Sequence, residues 1–514
     1  MFCKTNSGQL VGIDGQMIQV EADVSDGLPS FEMVGYLAAD VREAKERVQT
    51  ALRNSGISLR PKRVMVNFSP ANERKEGSYF DMAIAIAVLV AYAILPEGPF
   101  LKAAFFGELG LDGTIRGVKG ILSLVLAAKR RGIARCFVPR ANRREASMVE
   151  GIESVGVASL EELILILKGN REAEMLAQEG EIGQGERSLA GELDFSEVKG
   201  EAVLRRASEI AAAGQHNLLF IGPPGSGKTM VARRIPSILP LLSQEERLEV
   251  SQVYSVCGLL NEERPFVYER PFRSPHHSVT LQAMTGGGAV PKPGELSLAS
   301  KGVLFLDELA EFQRGTLEVL RQPLEEGKIH VARVQGAFVF PADMMLVAAT
   351  NPCPCGYYPD RNQCICSTRQ VKRYLGKISK PLLDRIDIRV EAKPLRYEEA
   401  FGQERGESSA QIRARVEKAR QRQRERFWGS AISVNGRMRA KDLKRYCQMD
   451  AAAERFLQRF FQEQPFHMRS YEKSLKVART IADLQGEESI REEHIKEAIF
   501  YRRAASEYWG GGWL

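Results

Sequence analysis

The sequence predicts an α/β protein in three parts: a small α/β domain, a parallel-sheet core that binds a phosphate ligand, and a helical carboxy-terminal domain. Three observations predict it. A chain of 514 residues exceeds one core at about 150 residues per domain. Apolar runs of strand length alternate with helical patterns until about Pro394, where the strands stop. An apolar strand also runs directly into a Gly-rich loop and a helix at Leu218–Thr229, the context a phosphate-binding loop requires.

Composition removes several classes. Hydrophobic residues at 44% and charged residues at 27% exclude a disordered or fibrous chain. The longest apolar run, Met82 to Leu95, falls short of the about 20 residues of a membrane span, so no membrane partner is expected. The amino terminus lacks the pattern of a secretory signal, which points to the cytoplasm. Eight cysteines are too few for a disulfide scaffold, and a net charge of +7 permits an anionic partner without requiring one.

Taken in order, residues 1–168 carry the runs Ile18–Val24, Val64–Phe68 and Ala103–Leu109 between helical patterns and read as one α/β domain. Residues 169–194 are rich in Gly, Gln and Glu (Glu172, Glu174, Glu179, Glu181, Glu186, Glu192) and read as a solvated linker. Residues 195–393 form the core, with strands at Asn217–Ile221, Val303–Leu306 and Met344–Ala349. Residues 394–514 form the helical domain.

The core carries the chemistry. Gly222, Pro223, Pro224, Gly225, Ser226, Gly227, Lys228 and Thr229 spell G-x-x-x-x-G-K-T. In this motif backbone N–H groups wrap the phosphates of a nucleotide such as ATP, the lysine reaches its outer phosphates, and the hydroxyl holds Mg²⁺. The strand Val303–Leu306 ends in Asp307 and Glu308, a second Mg²⁺ contact and a base for the attacking water. The next strand ends at Asn351, whose amide would orient the same water.

On these motifs the core resembles an AAA+ ATPase of the branch shared by magnesium chelatase ATPase subunits and MCM helicases. The resemblance implies that Leu382–Asp387 bears an arginine finger, Arg385, aimed at a neighbouring subunit's ATP, and that Met468–Tyr471 opens a sensor-2 helix with Arg469. An ordinary intrachain ion pair is the alternative for both. Thr285–Glu295 resembles the helix-2 insert and reads as loop from its Gly and Pro content, whereas Ile329–Phe340 alternates like the pre-sensor-1 hairpin. Lys292, Lys328 and Arg333 are then candidates to touch DNA phosphates in a ring's pore, or else solvated loop charges.

Across nearly all the chain the order of parts is similar to the ComM/YifB family of magnesium-chelatase-like ATPases, with Arg273–His277 and Ala478–Leu484 among the matching stretches. That resemblance implies a Lon-protease-like (ribosomal S5 domain 2-like) first domain, an AAA+ P-loop core and a carboxy-terminal helical lid. It also implies a homo-hexameric DNA helicase that promotes branch migration on single-stranded or branched DNA in recombination and natural transformation. Gly107–Gly117 resembles the Lon segment around its catalytic lysine, but Leu122 stands at the lysine's place and Tyr79, after Ser78, at the serine's. Leucine has no amine to accept a serine proton, so proteolysis is not expected. The alternative function is a protein-remodelling or metal-chelatase-type ATPase.

Three features remain. Cys353, Cys355, Cys364 and Cys366 form C-x-C pairs around turn residues, suited to tetrahedral Zn²⁺, with redox chemistry or unmetallated thiols as alternatives. His276 and His277 read as structural or pore-loop residues, or as metal ligands. From Gln411 to Phe427 an apolar face of Ile412, Val416, Ala419 and Phe427 is flanked by basic rims, Arg413, Arg415, Lys418, Arg420, Arg422, Arg424 and Arg426, open to phosphates or simply to water.

Overall fold

Alternating burial along Phe2–Val11 (β1) and Asp14–Ser25 (β2) forms an antiparallel pair in register from Phe2 opposite Asp23 to Val11 opposite Asp14. The computed structural model describes residues 1–178, 193–288, 290–333, 336–394, 406–463, 467–504 and 506–509. Ser30–Val34 (β3), Arg63–Ser69 (β4), Ala104–Phe105 (β5), Arg135–Pro139 (β6) and Glu153–Val157 (β7) complete a seven-stranded sheet of order β3-β4-β2-β1-β5-β6-β7. Helices Ala39–Asn54 (α1) and Asp81–Ala91 (α2) pack on it, and every residue of α2 is buried. The apolar run at Met82 is therefore a core helix, apolar all round because it is covered all round. Among the described residues no helix is long and apolar enough to cross a membrane.

Helix Ile121–Arg130 (α3) carries Leu122, fully buried in an apolar cluster against which the Tyr79 ring also packs. The two positions aligned with a Ser–Lys dyad thus belong to one apolar cluster, as hydrocarbon and phenol. The linker reading fails in its first part. Arg171–Gln178 forms a helix (α4) that lays Ala173 and Ala177 on the first domain's core. Small residues four apart supply a narrow apolar stripe that the surrounding glutamates obscure. Glu179, Glu181, Glu186 and Glu192 lie outside the described residues.

In the core, helix Ala202–Gly214 (α5) precedes Leu218–Ile221 (β8), and Lys228–Ile238 (α6) and Gln244–Cys257 (α7) follow. Next come Phe272–Arg273 (β9), Leu281–Thr285 (α8), Gly286–Gly287 (β10), Lys292–Pro293 (β11) and Val303–Leu306 (β12). Lys328–Arg333 (β13), Gly336–Pro341 (β14), Met345–Thr350 (β15), Thr368–Leu375 (α9) and Ile388–Glu391 (β16) complete it. The sheet order is β9-β12-β15-β8-β16 with every pairing parallel. Strands β8, β12 and β15 are buried at every residue, as a sheet covered on both faces requires. Their carboxyl ends lie side by side, which is where such sheets bind ligands.

Two loop readings resolve differently. The Gly-rich insert is not all loop: Gly286 pairs with Pro293 and Gly287 with Lys292, before a short helix at Glu295–Leu298. The hairpin appears as read, Lys328 opposite Pro341 through Arg333 opposite Gly336. Ala289, Val334 and Gln335 lie outside the described residues.

The carboxy-terminal part contains Ser409–Arg426 (α10), Met468–Gln485 (α11) and Glu492–Arg503 (α12). It is joined to the core through buried Asp387, at the start of β16. Its Oδ2 accepts from Asn217 N–H (2.9 Å) and its Oδ1 pairs with Lys473 of α11. Burial alone pushes the Asp387 carboxyl up, but Lys473 and the neighbouring His216 together outweigh it and hold the group well below the usual carboxylate range. A depressed pKa contributes stability above the unfolded value of about 3.9, lost only as pH falls toward the folded one. Lys473→Met is therefore expected to cost about 3–5 kcal/mol at neutral pH by stranding a buried charge. A melting curve should show the loss, and Asp387→Asn in the same chain should recover part of it.

The first domain rests on α7. Gly120 N–H donates to Ser255 O (3.0 Å), Gln252 Nε2 donates to Ile13 O (2.9 Å), and Ser255 Oγ donates to the buried Glu145 carboxylate.

Candidate nucleotide-binding site

The phosphate loop hangs between β8 and α6. Gly225 and Gly227 hold φ of +77° and +72°, a region in which a side chain is strained. Gly222 has no room for one: a Cβ would lie 2.3 Å from Ala392 O. Lys228 Nζ donates to Gly222 O (2.8 Å), Pro223 O (2.7 Å) and Ser226 Oγ (3.2 Å). Burial pulls the Lys228 ammonium below its ordinary pKa, while the carboxylates of Asp307 and Glu201 act the other way. Glu201 is itself buried and reaches the loop beside Gly227. No motif announces it, because it enters from the residue before α5.

Thr229 Oγ1 donates to Asp307 Oδ2 (2.8 Å), so the hydroxyl and carboxylate meet across β8 and β12. This pair of hard oxygen donors suits Mg²⁺. Asp307 Oδ1 accepts the Glu308 N–H (2.9 Å), and Glu308 adopts left-handed φ/ψ of 51°/47°. A non-glycine residue in that region is uncommon, and Glu308 takes it directly after the Asp307 that meets Thr229. His277 stands in a place the sequence did not reveal: its Nδ1 lies 3.5 Å from Glu308 Oε2, and its ring packs at a tilt against His276, 4.0 Å between centroids. The His pair thus faces the acidic strand end, and among the described residues only the four cysteines group as potential metal ligands. Asn351 follows β15, between β12 and β8 in the sheet.

Arg385 and Arg469 lie elsewhere. Asn217 Nδ2 donates to Arg385 O (3.0 Å) at the amino end of β8, whereas Gly222 begins the phosphate loop at its carboxyl end. At about 3.3 Å per residue the five steps from Asn217 to Gly222 span about 16 Å. The Arg385 guanidinium pairs with Glu325 (2.7 Å) and donates to Arg321 O (3.0 Å) and Pro381 O (2.7 Å). The exposed Arg469 lies 3.8 Å from Asp384, next to Arg385, and both arginines line one cleft between core and lid. The intrachain contacts of the alternative reading are present, and neither arginine lines its own chain's phosphate loop.

Lys292, Lys328 and Arg333 are exposed. Arg333 lies against the insert, where a Cβ on Gly287 would be 2.8 Å from its Nη2, and Lys292 pairs with that same glycine. The rims of α10 are less open than the sequence suggests. Arg415 pairs with Glu209 and Glu407, Arg426 with Asp483, and Arg413, Arg420 and Arg422 donate to backbone carbonyls of Ser237, Ala212 and Asp483. Those carboxylates and carbonyls come from distant segments, so the charge run is largely a docking surface for α5, α6 and α11.

The four cysteine sulfurs lie within 4.8 Å of one another. Backbone hydrogen bonding from Tyr357 is the main cause that draws the Cys355 thiol down to about 6.

Comparison with known proteins identifies the family. The profile described as magnesium chelatase, subunit ChlI, matches residues 194–400; subunit ChlI of Mg-chelatase matches 20–142; and the subunit ChlI C-terminal profile matches 406–502. Competence protein ComM of Haemophilus influenzae is 40% identical over 496 residues, 96% of each chain. YifB of Escherichia coli is 39% identical over 494 residues, 96% of this chain and 95% of that one. A local likeness, 30% over 115 residues, links 22% of this chain to 17% of the archaeal Lon protease of Methanocaldococcus jannaschii. At such identity across nearly the whole of both chains, this chain belongs to the ComM/YifB family of magnesium-chelatase-like proteins.

Proposed function

We propose that the protein is a cytoplasmic ATP hydrolase working as a homo-hexameric DNA motor, a branch-migration helicase of recombination and natural transformation. ATP sits on Gly222–Thr229 with Lys228 against its outer phosphates. Thr229 and Asp307 hold Mg²⁺, which when bound neutralises phosphate charge, and Glu308 takes the proton of the attacking water. Arg385 and Arg469 serve the neighbouring subunit's nucleotide. The first domain keeps a Lon-like fold without peptidase chemistry, residues 195–393 form the motor core and 394–514 the lid, and the four-cysteine loop holds Zn²⁺.

One observation carries the DNA reading. The hairpin bearing Arg333 is spliced between β12, which ends at Asp307 and Glu308, and β15, which ends at Asn351. It also meets the insert bearing Lys292. A polyanion pulling on these exposed cations pulls on both strands of the hydrolysis site. The H. influenzae relative is a competence protein, which supports a DNA role.

Arg333→Ala is expected to leave basal hydrolysis intact and to weaken its stimulation by forked DNA several-fold. DNA affinity should fall steeply from 50 to 200 mM salt as contacts that release counterions are lost. The chelatase profiles favour a second reading, a protein-remodelling or chelatase-type ATPase. It takes over if DNA of no structure binds or stimulates hydrolysis.

A further inference from the structure

The cysteine loop is a wall of the nucleotide site. Thr350, last residue of β15, accepts the Gly222 N–H through its carbonyl (3.3 Å), and only Asn351 and Pro352 separate it from Cys353. Cys353 is fully buried, and its Sγ accepts from Gly356 N–H (3.2 Å) and Tyr358 N–H (3.4 Å). Gly356, at φ +89°, lies against the phosphate loop so closely that a Cβ would be 2.5 Å from Pro224 Cδ. On the loop's other flank Tyr358 meets the ring of Tyr508 at 6.1 Å.

Between the cysteine pairs the loop is turned outward, braced by Arg361, which donates to Cys366 O (3.2 Å). Ile365, between two of the cysteines, is 90% exposed, and Asp360, Arg361, Asn362 and Gln363 are exposed as well. The sulfurs are spaced for an ion. Cys353 and Cys355 are 3.3 Å apart, Cys355 and Cys364 3.6 Å, Cys353 and Cys364 3.8 Å. A tetrahedron with Zn–S bonds of about 2.3 Å has edges of about 3.8 Å, whereas a disulfide needs about 2.05 Å.

We propose that Zn²⁺ on Cys353, Cys355, Cys364 and Cys366 fixes the position of Gly356 against Pro224 and thereby conditions nucleotide binding, so that the metallated chain binds ATP or ADP more tightly than the metal-free chain. The inference rests on the zinc reading of the cluster and on the phosphate loop, and not on the DNA reading. Binding the ion replaces thiol protons with metal–sulfur bonds and releases those protons to solvent. The loop then stands rigid behind the Pro223–Pro224 turn, and the nucleotide no longer has to order it.

Coupling of this kind is reciprocal, which gives a test on the unaltered full-length chain. Zinc per chain is measured by elemental analysis, and zinc affinity against a competing chromogenic chelator with and without saturating ADP. About one zinc per chain is expected, held about tenfold tighter with ADP, and ADP in turn about tenfold tighter on the zinc-loaded chain. Pro224→Ala should keep its zinc and lose the mutual effect. Absence of zinc from protein purified without chelator overturns the reading of the cluster. Zinc bound with an affinity that ADP leaves unchanged overturns the coupling alone, and coupling that persists in Pro224→Ala overturns the route through Gly356.

Discussion

Lys228→Ala is expected to weaken nucleotide binding by about a hundredfold or more, while Glu308→Gln binds nucleotide like the parent chain and loses hydrolysis by about 10²–10⁴-fold. The division follows from where the two side chains stand. Lys228 is buried in the phosphate loop, its ammonium held by Gly222 O, Pro223 O and Ser226 Oγ, so it is poised for phosphate oxygens at little further desolvation. Two charged hydrogen bonds to phosphate at about 1.5–3 kcal/mol each convert, at about 1.4 kcal/mol per tenfold, to at least a hundredfold. Glu308 stands apart from that contact. Its side chain is half-exposed, its backbone is left-handed, and Asp307 keeps its own bond to Thr229 in its absence. Gln preserves shape and cannot take a proton. Titration with a fluorescent ADP and a phosphate-release assay separate the two effects, and equal loss of binding in both variants would end this assignment. His277→Ala serves as a control on positioning: by freeing Glu308 it should lower hydrolysis less than Glu308→Gln does and leave nucleotide affinity unchanged.

What the sequence made legible here is what a local pattern dictates. The phosphate loop needs a strand, glycines where φ is positive and a helix start, all contiguous between Leu218 and Thr229, and the structure has them. Asp307 and Glu308 were readable because a buried strand that ends in two acids must end at a surface or a site. The helix Ser409–Arg426 was readable from its apolar face of Ile412, Val416 and Ala419, all buried. Its charges were not, because Glu209 and Asp483, which take Arg415 and Arg426, are far away in sequence. His277 was named, but its relation to Glu308 was not readable for the same reason: it exists only once β9 lies beside β12. The insert was misread because backbone pairing of Gly286 and Gly287 leaves no side-chain periodicity to detect. Arg385 was readable as a residue by resemblance alone, and only the sheet shows that it stands at the end opposite the phosphate loop.

That placement makes the second large effect a matter of which chain supplies the arginine. Arg385→Ala and Lys228→Ala chains, each inactive alone, are expected to regain hydrolysis when mixed before assembly. In a closed ring every interface is heterologous, one face giving Lys228 and the other Arg385, so random mixing of equal amounts leaves about a quarter of interfaces intact. Activity near a quarter of the parent's means that sites fire independently, and much less means that they must fire in sequence. Within one chain no such rescue exists, because about 16 Å along β8 separates Arg385's partner Asn217 from Gly222 and the guanidinium is already held by Glu325, Arg321 O and Pro381 O. On the proposed finger role, the ion pair with Glu325 would be a resting contact, exchanged for a neighbour's phosphate when a ring closes, and Glu325→Gln should raise basal hydrolysis modestly instead of lowering stability. Mixed chains that stay inactive while co-assembling, as judged by sedimentation, would leave Arg385 as a structural residue of the core–lid cleft and remove the reason for placing the active site at a subunit boundary.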